Sequence, residues 1–207
     1  MEFLRMNMTA AERKQEVHMN YIEHLEKHCG EITGNLELED MMEQNIQFLK
    51  FENAPINETY TATSLGLLWH SLQFEDGRFA HQEVMMSVKQ LEAEEDVIEL
   101  LWRLTTHALE TGQAFELGEF YSMPETVFGQ YGFAGVYVTA PIYFDESFFI
   151  HHGDAEFDEP EHVLPVWFVP IFESEADYLE KHGVDAFQEI IDATERELLD
   201  LTRQPLI

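Results

Sequence analysis

The sequence predicts an α+β domain: a mixed, mostly antiparallel sheet flanked by helices, with an extra helix at the N-terminus. Apolar residues make up 45% of the 207-residue chain and aromatics 13%, including 16 Phe, a composition that favours a folded core over disorder. Stretches with apolar residues at helical spacing are interspersed with β-rich runs, and their order does not alternate strictly as strand, helix, strand. The length fits one large domain better than two small ones.

The first helix is expected from about Thr9 to His28. Thr9 and Glu12 form a capping box, Val17, Tyr21 and Leu25 recur at four-residue spacing, and Gly30 stands where a C-cap glycine ends the helix. The stretch from Glu31 to Asn57 is ambiguous, with alternation over residues 35–39, an aromatic run at Phe48-Leu49-Lys50-Phe51, and a break at Pro55. Thr59 to Trp69 reads as a buried strand, Glu75-Asp76-Gly77-Arg78 as a tight turn, and Phe79 to Val88 as a second strand.

A central helix is predicted from Glu92 to about Thr111. Val97, Leu101, Leu104 and Ala108 form its apolar stripe, Ile98, Trp102 and Leu109 flank it, and Gly112 closes it. Phe115 to Gly135 is mostly turn and short strand, Val136 to Ala140 a β-rich run, and Asp154 to His162 an acidic loop. Val163 to Phe172 is the most apolar run, and its prolines Pro165 and Pro170 mark strand ends. A helix capped by Ser174 follows, with Asp177 at N3, Glu175 in its first turn facing the positive end of the macrodipole, and Gly183 at its end. The last helix spans Asp185 to Thr202 and buries Phe187, Ile190, Ile191, Thr194, Leu198 and Leu201.

Charge narrows the function classes. Forty-one Asp and Glu stand against 11 Lys and Arg, a formal net charge of -30. Such a surface repels phosphate backbones, and no Lys/Arg cluster exists to displace counterions, so direct nucleic-acid binding is not expected. The same field speeds encounter with a basic protein, or simply keeps the chain soluble. The single cysteine, Cys29, rules out an intramolecular disulfide and any multi-cysteine zinc site. The N-terminus lacks the apolar core of a secretory signal, and no apolar run reaches membrane-spanning length, so a cytoplasmic location without membrane contact is expected.

Searches for chemistry return little. Neither GxGxxG nor GxxxxGK[ST] occurs, nor a G-x-S-x-G nucleophile elbow. His151, His152 and His162 surround Asp154, Glu156, Asp158 and Glu159, but the spacing matches neither HExxH nor an EF-hand, and a solvated acidic loop accounts for these residues. His28 and Cys29 are adjacent on a helix and so point about 100° apart, poorly placed for proton transfer. Glu173 and Glu175 sit where helix starts favour acids, which explains them without an acid–base pair. No catalytic residue, metal ligand or cofactor site is assigned.

The block Val163-Leu164-Pro165-Val166-Trp167-Phe168-Val169-Pro170-Ile171-Phe172-Glu173-Ser174-Glu175-Ala176-Asp177-Tyr178, followed by Gly183 and Phe187, resembles the strand, Pro-hydrophobic, x-Glu and helix signature of suppressor-of-fused domains. The threonine-rich segment Thr61 to Leu67, with Gly66, and Gln82-Glu83-Val84-Met85-Met86 before the central helix are similar to further motifs of that family, as is the closing Arg203-Gln204-Pro205. The resemblance covers about Glu52 to Ile207. It implies a binding domain without catalytic residues over 31–207, with 1–30 as a variable helical addition. Longer animal members of the family grip a peptide as an added strand between two domains, whereas the compact bacterial versions have been proposed as immunity proteins that neutralise toxins. The chain is similar to the compact type.

A protein partner is therefore expected. It is a basic toxin met by the acidic surface or, alternatively, an extended peptide taken up by strand addition; an enzyme of unknown class is the third reading. The candidate recognition face comprises Asp154, Asp158, Glu159 and Glu161 in the acidic loop, with Glu173, Glu175 and Asp177 at the helix start.

Overall fold

The computed structural model describes residues 10–36, 45–124, 126–153, 160–194 and 197–207. Its strands are β1 (Ile32–Leu36), β2 (Gln47–Glu52), β3 (Tyr60–Leu65), β4 (Leu72–Gln73), β5 (Phe79–Val88), β6 (Phe120–Ser122), β7 (Gly135–Thr139), β8 (His151–His152) and β9 (His162–Ile171). Its helices are α1 (Ala10–Cys29), α2 (Glu94–Thr111), α3 (Glu173–His182) and α4 (Val184–Asp192). The sheet runs β1-β2-β3-β5-β9-β7-β6, with β4 beside β5 and β8 beside β9. Pairing is antiparallel except between β5 and β9, which run parallel from His81↔Val163 to Met85↔Trp167. This is the mixed, mostly antiparallel α+β fold that the sequence predicts.

The sheet is covered on both faces, and strand alternation divides its residues between two cores. Tyr60, Ala62, Val84, Met86, Val166 and Phe168 pack with Val97, Leu101, Leu104 and Ala108 of α2. Their strand neighbours Leu65, Met85, Trp167, Val169 and Ile171 pack on the opposite face with Tyr21 and Leu25 of α1, Leu179 of α3 and Phe187 and Ile191 of α4. A strand buried on both faces has no need of polar alternation, which is why β9 reads as one continuous apolar run.

β9 also corrects the reading of its prolines, because Pro165 and Pro170 lie inside the strand and pair with Glu83 and Val136. Backbone polar groups of successive strand residues point to opposite edges. The Pro170 carbonyl accepts from Arg203 Nη2 at 2.9 Å, so Pro170 faces away from β7, toward an edge where the β5 register has already ended at Trp167. By alternation, Pro165 faces the β7 and β8 side. There β8 stops pairing at Val163 and β7 begins only at Trp167, so neither missing N–H costs a ladder bond.

Three other boundaries shift. The ambiguous segment contains the β1–β2 hairpin, the first predicted strand ends at Leu65 with a 3-10 turn over Leu67–Trp69, and the last predicted helix stops at Asp192, ahead of a separate 3-10 turn at Glu197–Leu199. Helix α3 is capped by Phe172 rather than Ser174: the Glu175 carboxylate accepts from the Phe172 N–H at 2.8 Å. The Thr9 capping box lies outside the described residues. Gly30 and Gly112 end their helices as expected, both with positive φ.

Candidate functional site

Two carboxylates are locked inside the domain. Glu83 on β5 is fully buried. Its Oε1 accepts from the Gly66 N–H at 2.8 Å and the Leu68 N–H at 3.0 Å, and its Oε2 bonds the Ser64 hydroxyl. Burial pushes the carboxyl up to about 7, while the bonds from Ser64 and from the backbone N–H groups of Leu68 and Gly66 pull it down. The turn it anchors needs glycine at position 66, where φ is 123° and a Cβ would stand 2.4 Å from the Asn45 carbonyl oxygen. With both oxygens used and none exposed, Glu83 is a strut for the β3–β4 connection, not a group that meets substrate.

Glu175 is the second, and it corrects the expected recognition face. On a helix, residues 173 and 177 share a face and residue 175 points away from it. Glu173 and Asp177 are exposed, whereas Glu175 is buried and paired bidentately with Arg203, at 2.6 Å to Nη1 and 2.8 Å to Nη2. The Leu206 N–H also donates to Glu175, and the guanidinium lies 5.0 Å from the Phe172 ring and 5.4 Å from the Phe133 ring. Glu175 thus straps the chain end onto α3 and offers nothing to a partner. Glu161 is exposed just ahead of β9, and Asp154, Asp158 and Glu159 lie outside the described residues.

Among the described residues, two mainly apolar grooves that the sequence did not single out open on the surface. The first, of about 680 Å³, has Leu36, Ile98 and Trp102 as its floor and Glu92, Glu94, Glu95 and Glu99 as its rim. Lys50 neutralises Glu94 at 2.5 Å and Arg103 neutralises Glu99 at 2.6 Å, but no cation among the described residues pairs with Glu92 or Glu95. A large aromatic floor within a charged rim is the make-up of a protein-binding hot spot. The signal was present in the sequence as a half-buried Trp102 at the margin of the α2 stripe, one turn from Glu99.

The second groove, of about 480 Å³, opens where β9 lacks a neighbour between β8 and β7, over Leu164, Pro165 and Val166. Its apolar walls include Phe74, Phe115, Leu117 and Ile150, and the last two are 61% and 42% exposed. Arg78 and Glu116 stand among its lining residues. Pro165 was the sequence signal for this gap, read instead as a strand end.

Among the described residues, the remaining sequence candidates do not assemble into chemistry; Asp154, Glu156, Asp158 and Glu159 lie outside them. His152 and His162 face each other across β8 and β9 with Nδ1 atoms 3.0 Å apart, yet no group of three His, Cys, Asp or Glu among the described residues is disposed to hold a metal ion. The Cys29 thiol is buried and pushed up to about 12 by that burial, so it is no nucleophile. Among the described residues no helix is long and apolar enough to cross a membrane.

This is a three-layer α+β domain with apolar grooves on its surface and its most perturbed carboxylate sealed inside. It belongs to the suppressor of fused protein family, whose sequence profile matches residues 42–204. No curated protein sequence matches the chain. Solved structures share the fold at low identity. A protein described as a suppressor of fused homolog from Neisseria gonorrhoeae matches with a TM-score of 0.69 and 17% identity, over 93% of this chain and 98% of that one. A chain in a Sufu–Fu complex matches with a TM-score of 0.65 and 10% identity, over 93% and 91%. Drosophila Suppressor of Fused matches with a TM-score of 0.55 and 14% identity, over 77% of this chain and 42% of that one.

Proposed function

We propose that this chain is a cytoplasmic, non-catalytic binding module that captures a basic protein, in the manner of an immunity protein masking the nucleic-acid-binding face of a toxin. The observation that carries this reading is the groove of Trp102, Ile98 and Leu36 within its glutamate rim. A net charge of -30 steers a basic partner toward it, and the apolar floor supplies what charge alone cannot, a desolvated anchor. A second reading, capture of an extended peptide, is favoured by the apolar second groove, which lies along the side of β9 left open between β8 and β7. The likeness to a chain solved as a Sufu–Fu complex supports a protein partner under either reading.

Affinity isolation from a lysate of the source organism, quantified by mass spectrometry, separates the two. The wild-type chain is expected to retain a basic protein at low salt and to release it at about 1 M, where charges are screened within about 3 Å. A Glu92→Lys/Glu95→Lys double substitution, or Trp102→Ala, is expected to abolish retention, while Leu117→Lys/Ile150→Lys leaves it intact. Salt-resistant retention lost only in the Leu117/Ile150 variant establishes the peptide reading and removes the first.

A further inference from the structure

The C-terminal half of α1 brings His24 and His28 against the segment before β8 and His151. His24 is half-buried among aromatic rings and borders a surface groove. Its imidazole stacks on Phe148, with centroids 5.4 Å apart and planes 8° apart, and on Tyr21 at 5.9 Å and 22°. His28 and His151 each approach it to 5.0 Å, the first from α1 itself and the second from β8. The His24 Nε2 lies 3.1 Å from the Phe148 carbonyl oxygen, so the neutral ring carries its proton there. The Nε2 atoms of His28 and His151 are buried without a hydrogen-bond partner. A neutral imidazole can leave one nitrogen bare at modest cost, whereas an imidazolium in that position strands a charged donor.

We propose that His24, His28 and His151 form a proton-operated latch, which holds the C-terminal half of α1 on the sheet while all three rings are neutral and frees it when they gain protons. The neighbouring charges favour this sense. Lys27, on the same helix, opposes a proton on His24 and His28, and His152 on β8 opposes one on His151. Asp145, in the segment before β8, acts the other way on His28 alone. Tyr21 faces Glu83 and Cys29. Burial is the largest influence on each ring; it lowers His24 to about 4, against the opposing hydrogen bond to the Phe148 carbonyl, and lowers His28 and His151 from their ordinary value. A base held below its free value binds more protons once released. Docking is therefore complete above about pH 6.5 and weakens as pH falls toward about 4, by up to tenfold per pH unit for each histidine involved. Release uncovers the apolar residues that share a core with Tyr21 and Leu25, among them Leu49, Phe51, Phe148 and Trp167.

The chain contains its own reporter. Cys29 is the last residue of α1, is 4% exposed and is the sole cysteine. The experiment is to follow its reaction with 4,4′-dithiodipyridine, which accepts thiols in acid, from pH 7.5 to 4.5, dividing each rate by that of the urea-unfolded chain at the same pH. Protection is expected to fall about thirtyfold or more between pH 6.5 and 4.5 while sheet circular dichroism is retained. In His24→Phe/His151→Phe, which keeps the stacks and removes two titrating rings, the fall should shrink to about threefold or less. Protection that stays flat in the wild type, that falls equally in the double variant, or that is lost only together with the sheet signal overturns the proposal. So does a proton NMR titration of the wild type that finds His24 at its free value near 6.5, a readout that needs no variant to fold.

Discussion

Replacing Arg203 with methionine is expected to cost about 3–5 kcal/mol, the toll of leaving a carboxylate buried without its cation. The side chains of Arg203 and Glu175 are 4% and 0% exposed, and their two bonds of 2.6 and 2.8 Å form a fork that methionine cannot mimic. The substitution also strips the Pro170 carbonyl of its 2.9 Å donor. Adding Glu175→Leu removes the stranded charge and should recover part of the loss. It cannot recover all of it, because the Phe172 and Leu206 N–H groups then lose their acceptor, each worth about 1–3 kcal/mol if left unpaired. Urea unfolding of the wild type, both single variants and the double variant gives the coupling directly. A single Arg203→Met loss below about 1 kcal/mol would show that water reaches the pair.

Glu83→Ala is expected to be comparably damaging, at about 3–6 kcal/mol, since it orphans the buried N–H groups of Gly66 and Leu68 and opens a cavity between β3 and β5. Glu83→Gln keeps the acceptor for both and can donate to the Ser64 hydroxyl, so its cost should be small. The informative quantity is the difference between wild type and Glu83→Gln as pH changes. The folded carboxyl sits at about 7 against an ordinary value of 4.5, so the unfolded chain gives up this proton more readily than the folded one. The group's contribution is complete below pH 4.5 and is lost as pH rises through 7. Relative to Glu83→Gln, the wild type should lose about 3 kcal/mol between pH 4.5 and about 7.5, read from chemical denaturation at matched ionic strength. A difference that does not change with pH would mean that the carboxyl is ionised throughout.

Local patterns were legible in the sequence, and long-range partners were not. The strand Phe79–Val88, marked by the tight turn ahead of it, and the α2 stripe, marked by its helical period, appear where expected. The β1–β2 hairpin stayed ambiguous because three of the five β1 residues are exposed and the strand lacks an apolar face to mark it. Pro165 and Pro170 look like strand ends until the neighbours of β9 are known, because only the gap between β8 and β7 shows that Pro165 leaves no bond unmade. Glu175 shares its sequence environment with Glu173 and Asp177. What sets it apart is an arginine 28 residues further on, which no local rule connects to it. The grooves were hidden for the same reason: Trp102 and Leu36 belong to elements far apart in the chain, and only their packing makes a surface of them.

The parallel register of β5 on β9 also governs how the chain reaches its native state. Residues 81–85 must wait for residues 163–167 before the middle of the sheet can close, and the intervening helix α2 has long been free to form by then. Contacts so distant in sequence make for slow folding, and β5 presents a bare, apolar edge throughout the interval. A chain interrupted before Val163 keeps that edge for good, so such fragments should self-associate, and a ribosome-bound chain of this length is where a chaperone would be needed.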